Sequence, residues 1–199
     1  MTVPHVDGGR AAQKAATRDA IADAVLDLIA AGDLRPTARE IAARAGISVR
    51  SVYVHFDDLE DLFAVAARRH VERIAPLLEE VPADGPLRDR AEGLVRRRIE
   101  LYDQIGLVGR AAQLQAPFSP TLAVIVADAE RYTADEAARV FGRELARMSP
   151  ARRHDTMAML DVVLGFDAWQ RLTGRHGMTT AAVRALMLDA TLHQLGGDR

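Results

Sequence analysis

Between Thr37 and Phe56 the chain writes two short helices and the turn that joins them. Thr37 stands three residues before Glu40. At that spacing the threonine oxygen accepts from the third helical N–H while the glutamate reaches back to the cap's own N–H. The helix opened there runs to about Ala45 and is stopped by Gly46. Ser48 is the next cap, and Ile47 before it can pack on Val52, four residues after the cap. The helix that follows is about two turns long. Two helices crossing steeply through a short, glycine-bearing turn are a helix–turn–helix unit. A short packed helix inside an ordinary helical domain would leave a similar trace.

The surrounding sequence is helical as well. The apolar positions Ile21, Ala24/Val25 and Leu28/Ile29 recur every three or four residues, predicting an amphipathic helix from Thr17 to near Gly32. A cap at Asp57, with Glu60 three residues on, opens a longer helix to about Leu78. Pro82–Pro86 is a turn, and the next helix runs from Leu87 to about Ile105. Gly106–Phe118 reads as a looser segment with a helix around Arg110–Gln115. Ser119-Pro120 and Ser149-Pro150 each place a capping serine before a proline at the first helical position. Gly174–Thr180 separates the last two helices. The 36 alanines among 199 residues favour helix over strand. The fold class expected is all-α: a three-helix N-terminal domain holding the helix–turn–helix, then a larger helical domain. The boundaries read as a flexible tail over 1–13, the first domain over 14–74 with its helix–turn–helix at 37–56, and the second over 75–199.

The second helix of the pair carries a surface unusual for a solvated helix. With Val52 and Phe56 turned inward, Val49, Arg50, Ser51, Tyr53, Val54 and His55 occupy the other faces, and no acid occurs from Ala45 to Phe56. Against duplex DNA such a surface makes sense. An arginine pairs bidentately with guanine O6 and N7, and valine methyls pack on thymine methyls. Thr37, Ser51, Tyr53 and His55 can donate to phosphates.

The run Thr37-Ala38-Arg39-Glu40-Ile41-Ala42 through Ala45-Gly46-Ile47-Ser48 to Tyr53-Val54-His55-Phe56 resembles the N-terminal signature of TetR-family transcriptional regulators. The later Phe166–Leu172 and His176–Thr179 also resemble the last two helices of many such regulators. The resemblance implies a DNA-binding domain followed by a helical domain that dimerises and holds a small molecule. It further implies base reading by Arg39, Val49 and Arg50, with Thr37, Ser51, Tyr53 and His55 on phosphates. One departure stands out. The family's usual phosphate-contacting lysine after the Phe56 turn is here Leu59, set among Asp57, Asp58, Glu60 and Asp61. Four acids beside a DNA backbone are unfavourable unless Arg10, Lys14, Arg18 or Arg44 compensate, although acids at a helix start also serve as caps.

In Met157–Phe166 apolar side chains surround the helix, so it must be covered on two sides. A second copy of the chain is one cover, making a homodimer through the last two helices together with Val183, Leu186, Met187, Ala190 and Leu195. A core helix in a monomer is the other account. Tyr102, Ile105, Leu114, Phe118, Met157, Leu160 and Trp169 can line an effector pocket, with Gln113, His154 or Asp161 as polar handles; ordinary packing is the competing account of each.

Other functions find little support. The chain has no cysteine, its six histidines lack metal-ligand spacing, Gly46–Arg50 lacks the closing glycine of a nucleophile elbow, and no glycine-rich phosphate loop occurs. An enzyme, a cofactor and a metal are therefore not expected. The first thirteen residues lack the apolar core of a signal peptide, and the longest apolar run, Leu122–Ala127, is too short for a bilayer, pointing to a cytoplasmic protein with no membrane partner. Arg96-Arg97-Arg98 reads as a solvated helix face. The function expected is a repressor released from a near-palindromic operator by a small, mostly apolar ligand. The alternative is a helical small-molecule or protein-interaction module with weakened DNA binding.

Overall fold

The computed structural model describes residues 7–77 and 80–196, and among them all regular structure is helical. In chain order the helices are α1 (Asp7–Ala30), α2 (Ala38–Ala45), α3 (Val49–His55), α4 (Leu59–Ile74), α5 (Leu87–Gln115), α6 (Pro120–Val140), α7 (Gly142–Leu145), α8 (Pro150–Leu164), α9 (Phe166–Gln170) and α10 (Thr180–Leu195). None among the described residues is long and apolar enough to cross a membrane.

Two compact units divide the chain. The first comprises the residues up to Arg73 together with Ile105–Val126. Its core is assembled from residues one helical turn apart: Ile21, Val25 and Ile29 of α1, Ile41 of α2, Val52 of α3 with Phe56 just beyond it, and Leu62, Phe63 and Ala66 of α4. Ala111 and Leu122 join them from the later segment. Gln115 Nε2 donates to the Leu34 carbonyl at 3.3 Å, and Ser119 Oγ donates to Glu60 Oε1 at 2.8 Å. The first domain drawn over 14–74 thus ends one residue later than this unit's first stretch, and the unit takes in residues 105–126 besides. The helix over α5 breaks at Gly106 (φ 47°, ψ −132°), just inside that segment.

The local signals read from sequence account for the joints. Thr37 N donates to Glu40 Oε2 at 2.8 Å and Glu40 N donates to Thr37 Oγ1 at 3.4 Å, closing the capping box. The Thr37 hydroxyl, which donates to Glu40 Oε2 at 2.6 Å, and the Thr37 N–H hold the Glu40 carboxyl below its usual range. Gly46 ends α2 at φ 69°, a left-handed conformation that costs an L-residue with a Cβ about 1–2 kcal/mol. Ser48 Oγ caps α3, accepting from Ser51 N at 3.1 Å.

Three boundaries differ from the sequence reading. α1 begins at Asp7, not near Thr17, so residues 7–13 of the expected tail are helical; residues 1–6 lie outside the described residues. Alanine's propensity at positions 11, 12, 15 and 16 outweighs the Gly8-Gly9 pair. The cap of α4 is Asp58 rather than Asp57: Asp58 Oδ1 accepts from Asp61 N at 2.8 Å. The helix expected through Phe166 stops at Leu164, because Gly165 turns extended there (ψ 157°). A Cβ on Gly165 would lie 2.6 Å from the Asp161 carbonyl oxygen, so no other residue fits without a shift.

The second unit comprises Ile74–Gln104 and the chain from Ala127 onward. Its core runs through Leu94, Val95 and Ile99 of α5, Val140 and Phe141, Leu160 and Leu164 of α8, and Val183, Met187 and Leu195 of α10. A buried ion pair, Arg90 with Glu144 at 2.6 Å, sits inside it. Burial pushes the Glu144 carboxyl up, but the bond from Arg90, a backbone hydrogen bond and the charges of Arg90 and Arg147 together hold it below the ordinary value.

Candidate nucleic-acid interface

Packing decides what α3 offers to a partner. Val52 and Phe56 are buried in the first unit's core. That orientation turns Val49, Arg50, Tyr53 and Val54 outward, with Tyr53 51% and Val54 65% exposed. Arg39, one helix earlier, is exposed too. A two-turn helix with one cation, a phenol and valine methyls in water, and no carboxylate on it, is the kind of surface a major groove covers.

The four expected phosphate donors do not stand equal. Thr37 Oγ1 donates to Glu40 Oε2 at 2.6 Å, and Ser51 Oγ lies 2.9 Å from Ser48 Oγ, so both hydroxyls are engaged locally. His55 is half-buried, and its Nδ1 is buried without a partner among the described residues. Tyr53 is the phenol that reaches solvent.

Sequence reasoning missed the clamp behind α3. Arg18 of α1 donates to the His55 carbonyl, donates to Asp61 Oδ2 at 3.1 Å, and places its guanidinium 4.1 Å from the centre of the Phe56 ring. One side chain therefore ties together α1, the end of α3 and the start of α4. A basic residue at α1's first packed turn followed by an aromatic after α3 was the available signal. The same contacts change the meaning of the acidic run. Asp61 pairs with Arg18, Asp58 caps α4, and Glu60 accepts from Ser119; Asp57 stays exposed. Leu59 is packed against the first core.

Residues 21–66, from the packed part of α1 into α4, match the family model of bacterial regulatory proteins of the tetR family. The N-terminal domain belongs to the TetR family. A transcriptional regulator from Rhodococcus sp. Rha1 shares the fold of the chain at TM-score 0.70 and 21% identity, over 90% of this chain and 96% of that one. A tetR-family transcriptional regulator from Streptomyces coelicolor does so at TM-score 0.66 and 22% identity, over 89% of this chain and 78% of that one. No curated protein sequence matches the chain. The family model thus covers the helix–turn–helix segment, and both of these solved structures are of transcriptional regulators.

The residues expected to line an effector pocket separate into groups. Met157 and Asp161 line a small cavity between α5, α6 and α8, with Arg98, Thr133, Ala134, Ala137, Leu160, Leu164 and Gly165. Tyr102, Phe166 and Trp169 form an aromatic cluster with ring centres 5.3–6.1 Å apart. The Tyr102 hydroxyl donates to the Leu164 carbonyl, and burial pushes its pKa up to about 12, so it stays a donor. Ile105, Leu114 and Phe118 belong to the first unit, and Phe118 is 81% exposed.

The arginine run needs a larger correction. Arg96 is exposed, but Arg97 and Arg98 are buried, because successive residues turn by about 100° around a helix covered on more than one side. Arg98 donates to the Thr133 carbonyl, and its Nη1 lies 2.9 Å from Glu136 Oε2, an ion pair not aligned as a hydrogen bond. Arg97 Nε and Nη2 are buried with no acceptor among the described residues. An uncompensated buried charge costs several kcal/mol. Arg97→Met, which keeps the length and removes the charge, is expected to stabilise the fold by about 1–4 kcal/mol in denaturant unfolding.

Proposed function

We propose that the chain is a homodimeric repressor acting in the bacterial cytoplasm, whose two α3 helices read a near-palindromic operator and which a small, mostly apolar molecule releases. The observation that carries the reading is the outward face of α3: Arg50, Val49 and Tyr53 are solvent-facing, with Arg39 beside them on α2, on a helix whose opposite face is locked into the core. Arg50 and Arg39 supply guanidinium forks for base edges, Val49 supplies methyls, and Tyr53 donates to phosphate. Thr37, Ser51 and His55 take part through groups their local bonds leave over.

The dimer reading rests on apolar side chains that α8 and α10 leave in solvent. Met159 and Val162 on α8 and Leu186 on α10 are exposed, whereas Leu160 and Leu164 of α8 and Val183 and Met187 of α10 are buried. A two-fold dimer reading a near-palindromic operator would present its two α3 helices about one DNA turn apart. The effector reading rests on the cavity bounded by Met157, Leu160, Leu164 and Asp161, with the Tyr102–Trp169 cluster completing the candidate pocket residues. A ligand there shifts the balance between DNA-bound and released dimers only by its differential affinity for them. The alternative, a helical module with weakened DNA binding, draws on Leu59 and its acidic neighbours; the packing of Leu59, the capping by Asp58 and the bonds of Glu60 and Asp61 speak for a structural role of four of these residues, and Asp57 is exposed.

The test is selection of bound fragments from the source genome by the purified protein at moderate salt. Enrichment of one near-palindromic site is the expected outcome. Binding without any preferred site, repeated at low salt, would overturn the operator reading.

A further inference from the structure

The cavity between α5, α6 and α8 has an ion pair in its wall, and both partners keep hydrogen-bonding capacity that the fold does not use. Arg98, only 1% exposed, lines the cavity from α5. Its Nη2 donates to the Thr133 carbonyl, but Nε and Nη1 find no hydrogen-bond acceptor among the described residues. Glu136 of α6 is buried as well, and its Oε2 lies 2.9 Å from Nη1 without the alignment of a hydrogen bond. Two idle donors and one idle acceptor therefore stand together at a cavity wall. Buried polar groups are ordinarily satisfied, and each one left over costs its lost hydration.

The rest of the wall is apolar, with Leu160 and Leu164 buried and Met157 half-buried, except for Asp161, which is exposed. The cavity measures about 10 Å³, room for a single water-sized group. A larger occupant needs Met157 to swing aside, which an unbranched side chain does readily.

Charge decides what kind of occupant fits. Arg98 and Glu136 cancel each other. A carboxylate bonded to Arg98 would leave a net negative charge in a buried site, with the Asp161 carboxylate beside it. An ammonium bonded to Glu136 would leave a net positive charge there, and Asp161, in water, is too well screened to offset it. A hydroxyl brings one donor and two lone pairs and no charge. Because Oε2 is so near Nη1, one hydroxyl can accept from Arg98 and donate to Glu136 together.

We infer that the effector of this site is an uncharged amphiphile, an alcohol or phenol whose hydroxyl completes the Arg98–Glu136 pair while its hydrocarbon part displaces Met157 and packs on Leu160 and Leu164. The inference rests on the effector reading of the cavity and narrows it: acids and amines with the same hydrocarbon part are refused.

The test uses the full-length protein and three eight-carbon probes, octanol, octanoate and octylamine, near neutral pH where the last two are charged. Apparent affinities come from the dependence of the thermal unfolding midpoint on probe concentration. Octanol is expected to bind about a hundredfold more tightly than octanoate, the scale set by one uncompensated buried charge. Glu136→Gln keeps the shape and removes one charge, so its preference is expected to reverse toward octanoate. Arg98→Met/Glu136→Leu removes the pair at similar volume, a change that folds usually tolerate, and should abolish any advantage of octanol. A wild-type preference for octanoate or octylamine would overturn the uncharged effector while keeping a site. An octanol preference that survives in the double variant would place binding elsewhere and overturn the role of the pair. No midpoint shift with any of the three would overturn the cavity as an effector site, and with it the reading on which the inference rests.

Discussion

Arg50→Ala is expected to cost the dimer about 2–6 kcal/mol on its operator, roughly thirtyfold to twenty-thousandfold in affinity, while binding to a scrambled duplex changes little. The magnitude follows from one bidentate arginine–guanine pair per half-site, each contributing about 1–3 kcal/mol of discrimination. Arg50 is exposed in the free protein and α3 is capped by Ser48 and held by Val52 and Phe56, so its removal leaves the fold in place. Tyr53→Phe should behave oppositely, weakening both duplexes together, since a phosphate contact carries no sequence information. Titrations of both variants on both duplexes at one salt concentration separate the roles. Equal losses on the two duplexes for Arg50→Ala would make Arg50 a backbone contact and move base reading to Arg39 and Val49.

The helix–turn–helix was legible because its signals are local. A capping box, a left-handed glycine and a serine cap each act within four residues, so Thr37, Glu40, Gly46 and Ser48 announce the geometry before any tertiary contact forms. Side-chain roles that depend on distant neighbours were less accessible. Leu59 sits at a family phosphate position by count, yet it packs into the core, and only the fold around it decides that. Thr37 and Ser51 look like free donors in the sequence; the bonds that shape their own caps occupy them. Arginine is rarely buried without a partner, which made a solvated Arg96–Arg98 face the reasonable expectation. The cover over α5 that buries Arg97 and Arg98 comes from elements far along the chain, and no local pattern encodes it. Phe118 errs in the other direction: an aromatic at helical spacing suggested a pocket wall, and the structure leaves it in solvent.

Leu186→Asp is expected to convert the protein to a monomer at micromolar concentration and to lower operator affinity by about 10²- to 10⁴-fold, the gain that linking two half-sites confers. Leu186 is 45% exposed within one protomer, so an aspartate there meets water and should leave the helical content and the protomer's core unchanged. In a two-fold interface built on α8 and α10 the same substitution occurs twice, on surfaces that face each other. Two carboxylates would then lose their hydration against Met159 and Val162 of either copy, at several kcal/mol each without compensating cations. The effect is asymmetric by design of the site: negligible in the free chain, prohibitive in the assembly. Light scattering over a concentration series reads the mass, and circular dichroism confirms the fold. A dimer that survives Leu186→Asp would move the interface off α10. A monomer that keeps full operator affinity would mean that α3 and its flanking cations suffice in a single copy, and a near-palindromic site would no longer follow.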